Sequence, residues 1–169
     1  MAVGVGGWFA AGRKPAFAAL DPSKTVAESA VNAAPVQLDA NVTLGNGDGT
    51  GFGGGKLSVS IAGALATDRL ALAETGGITL AGTAVYYQDT RIGTLTSGGQ
   101  AGAPLTIVFD SGPVSDQAAT ALARAVTYAS TSDAPSAQLR AVTFQATDAE
   151  NTTGSASLRL KITAQNDAP

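Results

Sequence analysis

The chain of 169 residues fits a single domain, with 44% apolar, 5% aromatic and 14% charged residues and as many as 21 glycines. It has no cysteine and no histidine, which excludes thiolate and imidazole metal sites and every nucleophile–histidine relay, so we expect no enzyme. The formal charge of −3 includes two basic residues and no acid before residue 21, and the acidic remainder excludes a nucleic-acid-binding face.

Residues 1–22 precede the first regular pattern and are interpreted as a flexible or partner-binding leader to a domain at 23–169. The apolar stretch at 2–11 is too short and too rich in glycine to cross a membrane, and it lacks the charge order of a secretory signal. The apolar side chains available to a partner are Val3, Val5, Trp8 and Phe9.

Alternation of apolar and polar residues predicts strands through the rest of the chain. The predicted strands lie at 56–61, 69–73, 78–87, 91–96, 105–109, 140–147 and 157–163. Clusters of Gly, Asn, Asp and Pro between them supply turns, and many short strands at this spacing are typical of a β-sandwich. We expect nine alternating residues in its core: Leu57, Val59, Ile61, Leu105, Ile107, Phe109, Leu158, Leu160 and Ile162.

One segment has helical periodicity instead. Ser115 and Asp116 can cap a helix, after which Ala118, Ala119 and Leu122 repeat at three and four residues. We predict a single short helix at about 115–125, followed directly by a strand near Tyr128. The fold class expected is therefore all-β, an antiparallel Greek-key sandwich with one short helix.

The two ends of this β body resemble a known family. The segment 144–169 resembles the last hairpin of a cadherin-like repeat, in which a strand ending in Ala-x-Asp turns through a glycine-containing loop into a strand closed by Asn-Asp-x-Pro. Thr25-Val26-Ala27-Glu28 looks like the family's first strand, and Asn46-Gly47-Asp48 takes the place of its Asp-x-Asp motif. Over residues 24–169 the chain is similar to the bacterial cadherin-like, immunoglobulin-like repeats of large secreted adhesins and hemolysin-type surface proteins.

This resemblance implies weak calcium binding at both ends of the sandwich. Calcium takes six to eight oxygen ligands, which loops converging at one end can supply. One end would hold Asn46, Asp48, Asp148 and Glu150, and the other would hold Glu28, Asn166 and Asp167. In the family the first group meets the linker of the preceding repeat and the second group faces the following repeat, so the chain is expected to hold two half-sites and no complete site. The chain departs from the family at Asn46, where an aspartate is usual.

Each of these residues also has a plain structural interpretation. The run Asn46-Gly47-Asp48-Gly49 is an ordinary turn sequence, Asp148 and Glu150 are compatible with a solvated hairpin tip, and Asn166-Asp167 is compatible with a frayed tail. Four further acids are predicted as turn or edge residues: Asp68, Asp89, Asp110 and Asp133.

Two functions are compatible with the sequence. The first is a structural or adhesive tandem repeat of an extracellular or bacterial cell-surface protein, stiffened by calcium where neighbouring repeats meet. The alternative is a self-assembling filament subunit, in which the leader adds a strand to the open sheet edge of an identical subunit.

Overall fold

The chain is an all-β protein. The computed structural model describes residues 15–46, 51–131 and 139–163, and strands make up 52% of these residues and helices 13%. The strands are β1 (Pro15–Ala18), β2 (Ser23–Ala27), β3 (Val36–Gln37), β4 (Thr43–Asn46), β5 (Lys56–Ile61), β6 (Asp68–Leu72), β7 (Ile78–Ala81), β8 (Ala84–Tyr87), β9 (Thr90–Gly98), β10 (Leu105–Phe109), β11 (Val126–Ser130), β12 (Arg140–Thr147) and β13 (Thr153–Thr163). The helices are α1 (Glu28–Ala33) and α2 (Asp116–Arg124), with a 3₁₀ turn at Gln100–Gly102.

The strands form one large sheet and two small ones. The large sheet has the order β2-β13-β12-β5-β10-β9-β8-β7, and the small sheets have the orders β3-β11-β6 and β1-β4. All pairings among the described strands are antiparallel except that of β2 with β13, which is parallel. The predicted sandwich is confirmed, but its large sheet is mixed at one edge rather than purely antiparallel.

The predicted strands agree closely with the observed ones, because the side-chain alternation that marks them also fixes which face is buried. Strands β5, β10 and β12 have the predicted bounds, whereas the run 78–87 is a hairpin of two strands. Gly82 makes this hairpin possible, since its φ of 65° lies in the left-handed region. All nine residues predicted for the core are buried.

The small sheets pack against the large one. Phe17 on β1 contacts Phe144 on β12 edge to face, with ring centroids 6.0 Å apart. The three-stranded sheet contributes Tyr128 of β11 to the same core, where its side chain is fully buried. Burying an aromatic or branched side chain of this size contributes about 1.5–3 kcal/mol, so these contacts hold the layers together.

The predicted leader boundary falls inside the fold. Strand β1 pairs with β4, with Pro15 opposite Asn46 and Phe17 opposite Leu44. The backbone of Pro15 also lies so close to Gly154 on β13 that a Cβ there would collide with the Pro15 carbonyl oxygen. Residues 15–22 therefore belong to the sandwich, whereas residues 1–14, with Val3, Val5, Trp8 and Phe9, lie outside the described residues.

Helix α2 is found where it was predicted, but the expectation of a single helix is wrong. The Ser115 hydroxyl accepts a hydrogen bond from the Ala118 amide at 3.1 Å, as a helix N-cap does, and β11 begins at Val126. The additional helix α1 has six residues and no side-chain cap. It is too short to show a helical period, and burial of Val31 holds it in place.

Candidate functional site

The structure brings together the two loops predicted for one calcium half-site. The Asn46 side-chain amide donates a hydrogen bond to the Gly51 carbonyl oxygen at 2.8 Å. The Ala149 backbone amide, which follows Asp148, points to the same oxygen at 3.5 Å. Asn46 is itself buried, and Asp48 lies outside the described residues. The Gly51 carbonyl oxygen thus joins the loop after β4 to the β12–β13 hairpin.

The Asp148 carboxylate is largely committed to its own hairpin. Its side chain is 1% exposed. One carboxylate oxygen accepts from the Glu150 and Thr152 backbone amides, both at 2.9 Å, and the other accepts from the Thr152 hydroxyl at 2.6 Å. A carboxylate offers about four lone-pair directions, so three are already used. Asp148 therefore shapes this loop and retains one direction for a further partner, while Glu150 lies exposed beside it.

The second predicted half-site begins at Glu28. This residue was expected on the first strand, but it starts helix α1 directly after β2 and is buried. The parallel pairing of β2 with β13 places Ala27 opposite Thr163. Glu28 therefore follows β2 at the end of the sheet where β13 also ends, while Asn166 and Asp167 lie outside the described residues.

The described members of the two groups of predicted ligands lie toward opposite ends of strand β13. Asn46 pairs with Pro15, which lies over Gly154 at the start of β13, whereas Glu28 follows the residue paired with the last residue of β13. Strand β13 has 11 residues, which correspond to roughly 33 Å. Within the three described ranges, no three acidic side chains cluster closely enough to hold a metal ion, so calcium binding stays a prediction.

A buried polar cluster links the two larger sheets, and the sequence analysis missed it. Asp68 begins the edge strand β6, yet it is 1% exposed. One of its carboxylate oxygens accepts from the Tyr128 hydroxyl at 2.5 Å and from Arg140 Nε at 3.0 Å, and the other accepts from the Leu65 amide at 2.9 Å. Arg140 lies on β12, so Asp68 joins the large sheet to the three-stranded one. We call these residues the Asp68 cluster.

Burial and the hydrogen bond to Asp68 raise the pKa of the Tyr128 phenol, because both favour its neutral form over the charged one. The Arg140 guanidinium carbon also lies 6.0 Å from the centroid of the Tyr128 ring. No sequence signal distinguishes Asp68 from a turn aspartate, since its partners are 60 and 72 residues away along the chain. The arrangement stabilises the fold and offers no open position for a substrate.

A second feature of the fold is the covering of β4 by helix α2. The Thr120 hydroxyl accepts from the Leu44 amide at 2.9 Å and donates to the Leu44 carbonyl oxygen at 3.0 Å. The Asp116 carboxylate accepts from the Asn46 backbone amide at 3.2 Å, and Arg124 Nε donates to the Val42 carbonyl oxygen at 2.8 Å. These three side chains, spaced four residues apart on the helix, therefore hydrogen-bond to backbone groups of every second residue from Val42 to Asn46. These groups lie along the edge of β4 that faces away from β1.

A cleft of about 650 Å³ opens beside this helix. Its walls come from α2, from β4 and β3, from the loop before β7, and from the turn between β8 and β9. Most of the lining side chains are polar, and they include Gln88, Gln117, Tyr87, Asp116, Thr120 and Arg124. The sequence analysis singled out none of these as ligand-binding residues, because they come from segments far apart in the chain.

Comparison with protein-family models, with curated proteins and with solved structures finds no match for this chain. Neither helix of the described ranges combines the length and the apolar character that crossing a membrane requires.

Proposed function

We propose that this chain is a non-enzymatic structural or adhesive domain of a bacterial surface or secreted protein, stiffened by calcium where successive domains meet. The observation that carries the proposal is the separation of the described candidate ligands, with Asn46, Asp148 and Glu150 near the start of β13 and Glu28 near its end. A module with ligands at both ends can share an ion with the module before it and with the module after it.

The loops at the Asn46 end support this role. They are fixed to each other through the Gly51 carbonyl oxygen, which leaves little freedom to lose when an ion binds. Asp148 is held in place by the Thr152 hydroxyl and two backbone amides, so its free lone-pair direction is preorganised. The oxygens that a single module lacks would come from water or from the neighbouring module, which favours weak binding, with a dissociation constant of about 0.1–1 mM.

The test is the melting temperature of the full chain in calcium, in magnesium and in a chelator. At about 10 mM calcium such a site stabilises the folded state by roughly 1.4–2.7 kcal/mol. For a chain of this size the melting temperature should rise by about 3–10 °C. Magnesium should have a smaller effect, because it demands a tight octahedral shell and gives up its waters reluctantly.

The matched variants are Asp148→Asn and Asp89→Asn. Both remove one negative charge from a loop, but Asp89 lies exposed in the turn between β8 and β9, with a left-handed φ of 69° that asparagine accepts. Asp148→Asn should abolish most of the calcium-dependent rise, and Asp89→Asn should retain it. A parent chain whose melting temperature is the same in calcium and in chelator would contradict the proposal.

The alternative proposal is a filament subunit that donates a strand. Since β1 already pairs with β4 of its own chain, the segment available to a neighbour is residues 1–14, which include Val3, Val5, Trp8 and Phe9. A chain that begins at Pro15 keeps β1 and is the proper comparison with the full chain in sedimentation. Assembly of the full chain alone would favour this alternative, and identical sedimentation of both would contradict it.

A further inference from the structure

We propose that the cleft between helix α2 and the turn joining β8 to β9 binds a neutral, hydroxyl-rich saccharide. This inference rests on the adhesive role proposed above and names the class of ligand that such a role would use. Some polar groups of the cleft are engaged in hydrogen bonds within the chain, and others are available to a ligand.

The available groups are side-chain amides and a phenol. Among the described residues, the side chains of Gln88 and Gln117 and the hydroxyl of Tyr87 make no hydrogen bond. A glutamine amide presents two donors and one acceptor in a plane, which matches the alternating donor and acceptor character of neighbouring sugar hydroxyls. The free hydrogen-bonding groups of these three side chains are neutral and face an open volume of about 650 Å³.

The aromatic ring of Tyr87 packs against the backbone at Gly77. Gly77 has a φ of 94°, and a Cβ there would lie 3.1 Å from a carbon of the Tyr87 ring. The missing side chain at Gly77 lets the ring lie against the backbone, where the half-buried Tyr87 lines the cleft. An aromatic ring with a polar end beside amide groups suits a ligand that has both apolar C–H faces and hydroxyls.

The charged groups of the cleft argue against an anionic ligand. Asp116 and Arg124 line it together. Asp116 accepts from the backbone amide of Asn46 on β4 at 3.2 Å, and Arg124 Nε donates to the carbonyl oxygen of Val42, just before β4, at 2.8 Å. Their charges are opposite, and the named lining contains no second basic residue. Phosphate, sulfate and nucleic acid need clustered arginine or lysine, which this cleft does not offer.

The backbone of the cleft argues against an extended peptide. A peptide binds to a sheet edge through unpaired backbone groups. On β4 these groups are occupied by α2, since Thr120 bonds both the amide and the carbonyl oxygen of Leu44. Strand β7 is an open edge of the large sheet, but only Thr75 and Gly76 of the loop before it line the cleft. Neither β4 nor β7 therefore offers an open backbone edge to a peptide in this cleft.

The experiment titrates the ¹⁵N-labelled full chain with millimolar cellotetraose, xylotetraose, mannotetraose and chitotetraose, with tetragalacturonate as the charged probe. The side-chain amide resonances of Gln88 and Gln117 report directly on the cleft. At least one neutral probe should shift both resonances in a saturable way, and tetragalacturonate should bind at least fivefold more weakly than that probe.

The variants are Gln117→Ala, Gln88→Asn and, as a matched control, Gln145→Ala, which removes an exposed glutamine from β12. Asparagine is chosen for Gln88 because its φ of 49° is left-handed. Each cleft variant should weaken the neutral probe about fivefold or more, the effect of one lost hydrogen bond, while the control leaves binding unchanged.

The proposal is overturned if no neutral probe shifts the two glutamine resonances, if only the charged probe binds, or if Gln117→Ala and Gln145→Ala weaken binding equally. These outcomes are separate from the calcium test. If the chain shows the calcium-dependent rise in melting temperature but binds no saccharide, the saccharide site is contradicted and the proposed function stands.

Discussion

Removing the Asp68 carboxylate should be among the most damaging single changes to this fold. Asp68 carries three hydrogen bonds from three different segments, and Asp68→Ala removes all of them at once. Arg140, which is 5% exposed, would lose the carboxylate that lies 3.0 Å from its Nε. The Tyr128 hydroxyl would lose its acceptor in the same buried space.

The expected magnitude follows from burial. Breaking a buried ion pair by removing one partner costs about 3–5 kcal/mol, because a charge is left in the interior without its counter-ion. For a chain of this size that loss lowers the melting temperature by about 6–20 °C. The matched control is the Arg91–Asp110 pair, whose atoms are 3.4 Å apart with side chains 50% and 38% exposed. Asp110→Ala should cost less than about 1 kcal/mol, since exposed pairs contribute little.

The assay is equilibrium unfolding in urea followed by far-UV circular dichroism. The double variant Asp68→Leu/Arg140→Met should lose less stability than Asp68→Ala alone, because it removes both buried charges and replaces them with apolar volume. An Asp68→Ala chain that unfolds within about 1 kcal/mol of the parent would refute the reasoning, since it would mean that the carboxylate is solvated.

Two further outcomes are expected. Gly154→Ala should destabilise the chain by about 1–3 kcal/mol in urea unfolding, because its Cβ would collide with the Pro15 carbonyl oxygen. The control Gly112→Ala, whose Cβ meets nothing within 4 Å, should have little effect. Equal losses of stability in the two variants would contradict the close approach of β1 to β13. The raised pKa of Tyr128 means that the folded state holds its proton longer than the unfolded chain does. The stabilisation from this proton is therefore complete below pH 10 and is lost as pH rises above it, by up to about 1.4 kcal/mol per pH unit. Tyr128→Phe should flatten this decline in the free energy of unfolding. Identical slopes of stability against pH in the parent and the variant would contradict the prediction.

Local patterns predicted most of the strands and helix α2. Leu57, Val59 and Ile61 alternate with polar residues because only one face of β5 is buried, so the alternation predicts both the strand and its buried face. Ser115 marks the start of α2 because its hydroxyl bonds an amide three residues away. Helix α1 and strand β1 have no local sequence pattern that predicts them, because tertiary contacts stabilise both. The sequence therefore predicted a leader where β1 lies.

The candidate site was predictable only in part. The resemblance predicted that the loops of Asn46 and Asp148 would meet, and the Gly51 carbonyl oxygen joins them. It did not predict that the Asp148 carboxylate would be bonded to Thr152 in its own loop, which depends on side-chain geometry. The Asp68 cluster and the cleft beside α2 assemble from residues far apart in the chain, and a single sequence gives no information on such pairs.

The covering of β4 by α2 has a consequence for how the chain folds. The hydrogen bonds that join them span 70 to 82 residues of sequence, so β4 can be fully satisfied only after most of the chain has been ordered. Until then one row of its amides and carbonyls is open to strands of other molecules. Refolding yield should therefore fall as protein concentration rises, with the loss confined to the interval before α2 docks.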